Sequence, residues 1–137
     1  MLLVIDANIV FSTLLSKAKT FDIFLANKFV KKFEFIAPEF LFIEINKHFD
    51  ELVKRTKLSS DELSKLLKFI RQEIDFIPFD EFKEFDNEAQ KISPDPKDVP
   101  YFALALKFSC SIWSNDKLLK KQNRVKVLST SEIAKLF

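Results

Sequence analysis

The sequence predicts a doubly wound α/β domain, in which a parallel sheet of about five short strands lies between two layers of helices. Short apolar runs rich in strand-forming residues alternate along the chain with segments whose apolar residues recur at helical spacing. Strands separated by helices favour parallel pairing, with the connecting helices packed on both faces of the sheet. The length of 137 residues, 47% of them hydrophobic, suits one domain over residues 1–137 with one sizeable core.

The predicted strands are short runs of apolar residues, each bounded by a turn former or a charged residue. The first run ends at Asp6, and the second stops at Pro38. The five runs are residues 2–5, 33–37, 75–78, 111–113 and 125–128.

Helices are predicted between these strands in the first half of the chain. Residues 8–15 form a short helix, and Thr20 caps a second helix with Phe21, Phe24, Leu25 and Phe29 at helical spacing. Residues 38–55 are predicted as one helix, whose apolar stripe is Leu41, Ile45, Phe49, Leu52 and Val53. Ser59 and Glu62 fit a capping box before a strongly amphipathic helix that carries Leu63, Leu66, Leu67, Ile70 and Ile74.

The second half continues the alternation. Apolar spacing predicts a helix over residues 82–92, and the run Ser93-Pro94-Asp95-Pro96 predicts a loop. The helix over residues 97–109 is apolar nearly all round, so we expect it to be buried. Further helices are predicted over residues 116–122 and 130–137.

The composition excludes several classes of protein. The chain has no glycine, which excludes glycine-rich phosphate loops and typical dinucleotide-binding turns. A single cysteine, Cys110, and a single histidine, His48, exclude an internal disulfide and a Cys/His zinc site, and we expect a reducing cytosol. The net charge of +2 permits nucleic acid as a partner without requiring it. The apolar N-terminal run is too short for a membrane span, so no membrane association is expected.

Four acidic residues stand where a parallel sheet would gather them. Asp6 closes the first strand and Asp116 follows the fourth, and ligands of open parallel sheets bind beyond the carboxyl ends of the strands. Asp98 begins the buried helix, and Glu44 lies at the edge of an apolar helical stripe. Clustered carboxylates repel each other unless a hard divalent cation binds them, and such a site can activate water for hydrolysis of a phosphodiester.

Each acid also has a purely structural interpretation. Asp6 and Asp116 can cap the helices that follow them. Asp98 can complement a helix dipole, and Glu44 can be an ordinary residue at the edge of its stripe, with His48 as its neighbour.

The order of these acids resembles that of the PIN domain family. The resemblance covers essentially the whole chain and rests on four segments: LLVIDANI, APEFLFIEINKH, DPKDVPYFALAL and SIWSNDKLL. It implies a parallel sheet of order 3-2-1-4-5 and a Mg²⁺- or Mn²⁺-dependent endoribonuclease with Asp6, Glu44, Asp98 and Asp116 as catalytic and metal-binding residues. Asp95 would be auxiliary. Small members of this kind act as toxins of prokaryotic toxin–antitoxin pairs, so the resemblance also implies a homodimer and a small antitoxin partner.

Further roles complete this hypothesis. Asn8 and Ser114 would orient carboxylates or water. Lys117, Lys120 and Lys121 could hold RNA phosphates, or could simply form a solvated helix face.

Two other functions stay open. One is a non-catalytic PIN-type module for RNA binding or assembly. The other is a phosphatase of the haloacid dehalogenase class, which needs a second Asp two residues after the first, where this chain has Asn8.

Overall fold

A computed structural model describes every residue from Met1 to Phe137. Five strands form one sheet: β1 (Leu2–Ile5), β2 (Glu34–Pro38), β3 (Ile74–Ile77), β4 (Ser111–Trp113) and β5 (Val127–Leu128). Neighbouring strands are all parallel, and their order in space is β3-β2-β1-β4-β5. The predicted α/β class, the number of strands and their order are therefore confirmed.

Eight α-helices surround the sheet. They are α1 (Ala7–Ser16), α2 (Ala18–Val30), α3 (Glu39–Lys47), α4 (Phe49–Arg55), α5 (Ser60–Glu73), α6 (Asp86–Ile92), α7 (Val99–Phe108) and α8 (Thr130–Ala134). Short 3₁₀ helices lie at Phe79–Glu81, Lys83–Phe85, Pro96–Asp98 and Lys117–Lys121. None of the helices has the length and apolar character needed to cross a bilayer.

The sheet has a hydrophobic core on each face because successive strand residues point to opposite sides. In β1, Leu3 and Ile5 pack in the core beneath α1, α2, α3 and α5, and Val4 packs on the opposite face with α7. The predicted burial of α7 is confirmed, since Tyr101, Phe102, Ala103, Leu104 and Ala105 are all buried. The central strand β1 is thus fixed from both sides.

The topology creates a crevice between β1 and β4. The chain leaves β1 toward β2 and β3, then crosses the sheet through α6 and α7 to enter β4 on the other side of β1. Adjacent strands whose connections diverge form a topological switch point, and ligands of parallel sheets bind there. Asp6 and Ser114 directly follow these two strands.

Two helix predictions in the first half of the chain are wrong. The helix predicted over residues 38–55 is two helices, α3 and α4, with a break at His48. The break lets α3 pack on β2 and β3 while α4 packs on α1, and it leaves Val53 43% exposed. Thr20 does not cap α2, which begins at Ala18; its hydroxyl is instead buried against that of Thr13, at 2.5 Å.

Elements of the second half are shorter than predicted. The helix expected over residues 82–92 starts as a 3₁₀ turn and becomes α6 at Asp86, and residues 117–121 form a 3₁₀ helix. The last strand covers only Val127–Leu128, and the last helix ends at Ala134. Short elements of this kind are fixed by their tertiary neighbours more than by their own sequence periodicity.

Candidate functional site

A cleft of about 420 Å³ opens at the carboxyl ends of β1 and β4. It is bounded by the first residues of α1, by α3 and by the start of α7. The residues that line it are Asp6, Ala7, Asn8, Phe11, Phe40, Glu44, Lys97, Asp98, Tyr101 and Asp116. The structure therefore brings all four acids singled out from the sequence to one cleft, each from a different element.

Asp6 is held rigidly at the end of β1. Its backbone N–H donates to the carbonyl of Trp113 at 3.0 Å, which extends the pairing of β1 with β4 by one residue. One carboxylate oxygen accepts from the N–H of Ala7 at 2.8 Å and caps α1, so the capping interpretation also applies. Burial raises the pKa of Asp6, and the hydrogen bonds from Ser114 and Ala7 offset this only in part.

Ser114 joins the two strand ends of the cleft. Its buried hydroxyl donates to the second carboxylate oxygen of Asp6 at 2.6 Å. The hydroxyl oxygen of Ser114 in turn accepts from the side-chain amide of Asn8 at 3.3 Å and from the backbone N–H of Asp116 at 3.0 Å. One carboxylate oxygen of Asp116 accepts from the N–H of Leu118 at 3.0 Å, so Asp116 also caps the 3₁₀ helix that follows.

Asp98 stands at the junction of the Pro96–Asp98 turn and α7. Its backbone N–H donates to the carbonyl of Asp95 at 3.0 Å, and only 7% of the residue is exposed. Its side chain caps nothing. Burial, followed by the negative charges of Asp6 and Asp95, raises the pKa of Asp98 to about 6.

Glu44 reaches the cleft from α3. One of its carboxylate oxygens lies 3.3 Å from Nε2 of His48, one turn along the chain. Nδ1 of His48 lies 3.7 Å from Glu51, and His48 does not line the cleft. The structure thus places His48 as a neighbour of Glu44, and Glu44 lines the cleft from the helix that follows β2.

Two polar residues of the cleft were missed in the sequence analysis. Lys97 is exposed and lines the cleft. Its positive charge acts to lower the pKa of Asp6 and of Asp98, although burial and the neighbouring acids keep both pKa values raised. Tyr101 is 2% exposed and lines the cleft from α7. Their spacing from Asp98 was the available signal. Lys97 directly precedes Asp98, and Tyr101 follows it by three residues, which places it on the same face of a helix.

The remaining predicted residues lie outside the cleft. The side chain of Asp95 caps the Pro96–Asp98 turn by accepting from the N–H of Lys97 at 3.0 Å, and its charge helps to raise the pKa of Asp98. Lys117, Lys120 and Lys121 are exposed on the 3₁₀ helix after Asp116. Lys120 forms an ion pair with Glu132, whereas Lys117 and Lys121 form none.

The acids are gathered but do not form a closed coordination cage. No group of three or more His, Cys, Asp or Glu side chains is arranged to hold one metal ion. The donors are nevertheless of the type that a hard cation prefers, since the four acids supply only oxygen. Mg²⁺ keeps several waters and commonly binds through one or two carboxylates, so an open cleft of this kind fits it.

Comparison with known proteins places the chain in a family and in a fold. A family model described as PIN domain matches residues 4–135. No curated protein matches the chain. Among solved structures, one chain of VapBC2 from Rickettsia felis, crystallised with a DNA fragment from their promoter, is similar with a TM-score of 0.66. The similarity covers 94% of this chain and 98% of that one at 12% identity, so it concerns the fold alone.

Proposed function

This chain belongs to the PIN domain family, and on that premise we propose that it is a metal-dependent endoribonuclease that hydrolyses phosphodiester bonds of RNA. The observation that carries the proposal is the meeting of Asp6, Glu44, Asp98 and Asp116 in one cleft. Asp6 and Asp116 also cap the helices that follow them, but the side chain of Asp98 caps nothing, so capping alone does not explain why the four acids share a cleft at a topological switch point.

Mg²⁺ or Mn²⁺ is the cofactor that we propose for this cleft. Asp6, Glu44, Asp98 and Asp116 would hold it, through the carboxylate oxygens that face the cleft. When bound, such a cation lowers the pKa of water and neutralises charge that develops on a phosphodiester. The raised pKa values of Asp6 and Asp98 support the proposal, because a bound cation would remove the penalty of ionising two buried neighbouring acids.

The other residues of the cleft orient these acids and the substrate. Ser114, together with Asn8, fixes the carboxylate of Asp6 in one rotamer. Lys97 provides a cation inside the cleft that would hold a phosphate of the RNA. Lys117 and Lys121, on the adjacent 3₁₀ helix, would extend this positive path, while the ion pair with Glu132 makes Lys120 the weaker candidate.

We further propose that the protein acts with protein partners, as the toxin of a toxin–antitoxin pair and as a homodimer. The fold shared with a chain of VapBC2 supports this, as does exposed apolar surface at Phe29 and Val30 of α2 and at Ile43 of α3. Light scattering that gives the mass of a single 16.0 kDa chain would contradict the homodimer. Failure to form a complex with the product of a short neighbouring reading frame would contradict the antitoxin.

A second candidate function is a non-catalytic PIN-type module for RNA binding or assembly. The capping roles of Asp6 and Asp116 favour it, because a module without catalysis would also need these two acids. The intact set of four acids and the network around Ser114 favour catalysis instead.

Cleavage of mixed RNA substrates separates the two candidates. The parent protein should cleave with Mg²⁺ or Mn²⁺ and not with a chelator. Asp6→Asn and Asp116→Asn should abolish cleavage while the fold survives, because Asn keeps the capping oxygen but lacks the charge that a hard cation requires. Asp75→Asn, an exposed acid of β3, is the matched control and should cleave as the parent does. Cleavage that persists in both cleft variants would contradict the assignment, and an inactive parent that binds RNA would favour the module.

A further inference from the structure

The hydroxyl of Tyr101 stands out in the cleft because it has no hydrogen-bond partner. No other buried side-chain nitrogen or oxygen atom of the protein lacks a hydrogen-bond partner. Tyr101 is also the only tyrosine of the chain. A buried hydroxyl that lacks a partner destabilises the folded protein, so native structures rarely retain one without a function. The position calls for an explanation beyond packing, since a phenylalanine would fill the same space.

Tyr101 lines the same cleft as the four acids, and none of them accepts a hydrogen bond from its hydroxyl. The negative charges of Asp6, Asp98 and Glu44, added to burial as the largest cause, raise the pKa of Tyr101. The phenol is therefore an O–H donor at neutral pH, and ionised carboxylates can only accept. What is missing is the approach of one carboxylate oxygen to within hydrogen-bond distance.

Asp98 is the least engaged of these three acids. Each oxygen of Asp6 already accepts one hydrogen bond, from Ala7 or Ser114, and one oxygen of Glu44 is paired with His48. The side chain of Asp98 accepts none, and Tyr101 follows it by one turn of the same helical path. No three of the acids are arranged so that they could share one ion.

We propose that Tyr101 is a positioning residue of the acidic cleft, whose hydroxyl donates to the carboxylate of Asp98 when a divalent cation draws the acids together. The inference rests on the proposed function, since it requires that a cation binds there. One change then resolves two incomplete features of the structure, the unpartnered phenol and the open arrangement of acids. The hydrogen bond fixes the orientation of Asp98, in the way that groups behind metal ligands generally do.

A single fluorine label tests the contact directly. Replacement of tyrosine by 3-fluorotyrosine gives one ¹⁹F resonance, because Tyr101 is the only tyrosine. Addition of Mg²⁺ should shift this resonance along the same saturation curve as calorimetric binding, and the shift should be lost in Asp98→Asn. A resonance that stays in place while Mg²⁺ binds would overturn the inference and leave the proposed function intact.

Removal of the hydroxyl provides a second test with a matched control. Tyr101→Phe should leave the melting temperature of the metal-free protein unchanged or higher, and should weaken Mn²⁺ binding by about tenfold or more. Thr20→Val removes a buried hydroxyl that is already paired with Thr13, so it should lower the melting temperature and leave Mn²⁺ binding unchanged. Equal Mn²⁺ affinity of parent and Tyr101→Phe would overturn the inference alone. A parent that binds no Mn²⁺ would overturn the proposed function and the inference with it.

Discussion

At the scale of single residues, the hydroxyl of Ser114 determines how well the cleft is ordered. It connects Asp6, Asn8 and Asp116, which come from two different strand ends. Ser114→Ala should lower the free energy of unfolding by about 1–3 kcal/mol, because a buried carboxylate and a backbone N–H lose their partner. Thermal melting of the metal-free protein measures this effect.

The control for Ser114 is a serine whose hydroxyl contributes little. Ser16 is exposed, and its hydroxyl donates to the carbonyl of Ser12 at a long 3.4 Å. Ser16→Ala should therefore melt within a degree or so of the parent. If Ser114→Ala also melts like the parent, the network around Ser114 does not hold the cleft together.

The pKa of Asp98 predicts how stability depends on pH. In the folded protein it is raised to about 6 from an ordinary value of 3.8, so between these values the folded state keeps a proton that the unfolded chain has lost. The stability that neutral Asp98 contributes is fully present below the lower value and is lost as pH rises through about 6. Metal-free protein should consequently lose stability from this group mainly between about pH 4 and pH 6.5, on the order of 1–2 kcal/mol after screening at the cleft mouth.

The difference in melting temperature between Asp98→Asn and the parent isolates that contribution. In chelator, the melting temperature of the variant should rise relative to that of the parent, by several degrees, as pH increases from about 4 to about 6.5. The same comparison with Asp75→Asn, an exposed acid outside the cleft, should not change with pH in this way. A constant difference for Asp98→Asn would mean that its pKa is not raised.

The residues of the cleft were predictable from the sequence to an unequal degree. Strand ends and helix starts carry a clear signal for Asp6, Asp98 and Asp116. Glu44 was indicated only by its place at the edge of an apolar stripe, and the family resemblance supported all four. Tyr101 was treated as packing because it lies in an apolar run. Its burial and lack of a partner depend on the surrounding side chains, which no spacing rule describes.

At the scale of elements, the absence of glycine means that other residues adopt left-handed backbone at the ends of helices. Lys17, Lys31 and Ser109 all have positive φ values where a helix ends, at 59°, 55° and 50°. Left-handed backbone costs roughly 1–2 kcal/mol for residues with a Cβ atom, and glycine avoids this cost. After α2, the turn at Lys31 is held by the side chain of Asn27, which exchanges two hydrogen bonds with the backbone of Phe33.

Lys31→Gly should therefore stabilise the protein. Its N–H already donates to the carbonyl of Asn27, and the exposed side chain makes no ion pair, so little is lost with it. The gain should be about 1 kcal/mol, or roughly 3–4 °C in melting temperature. Lys32→Gly is the control, because Lys32 has a negative φ and glycine there adds only unfolded-state entropy. A lower melting temperature for Lys31→Gly would contradict the account of this turn.

The break at His48 shows what an element pattern cannot predict. Residues 38–55 contain no internal proline or glycine, so their periodicity reads as one helix. The break arises because Leu41 and Ile45 pack on the sheet core while Leu52 packs with α1, and one straight helix does not serve both surfaces. It leaves Glu44 in the last turn of α3, directed at the cleft.

At the scale of the whole molecule, strand order is what makes the cleft. The alternation of strands and helices predicted the parallel sheet from the sequence, and the resemblance to PIN domains supplied the order 3-2-1-4-5, which the structure confirms. The lengths of the late elements could not be predicted, because two-residue and five-residue elements such as β5 and the 3₁₀ helix before it owe their form to neighbours. This order sets β1 beside β4, so that acids more than a hundred residues apart in sequence share one cleft.

The central claim is that the four carboxylates form one binding site for a divalent cation, and thermal melting with and without metal tests it most directly. A cation at about 100 times its dissociation constant stabilises the folded parent by roughly 2.7 kcal/mol, which should raise its melting temperature by on the order of 5–10 °C. Mn²⁺ should act at lower concentration than Mg²⁺. Asp98→Asn should melt higher than the parent in chelator and lose most of the metal-induced shift, whereas Asp75→Asn should keep it. Equal shifts in all three proteins, or no shift of the parent in millimolar Mn²⁺, would contradict the claim.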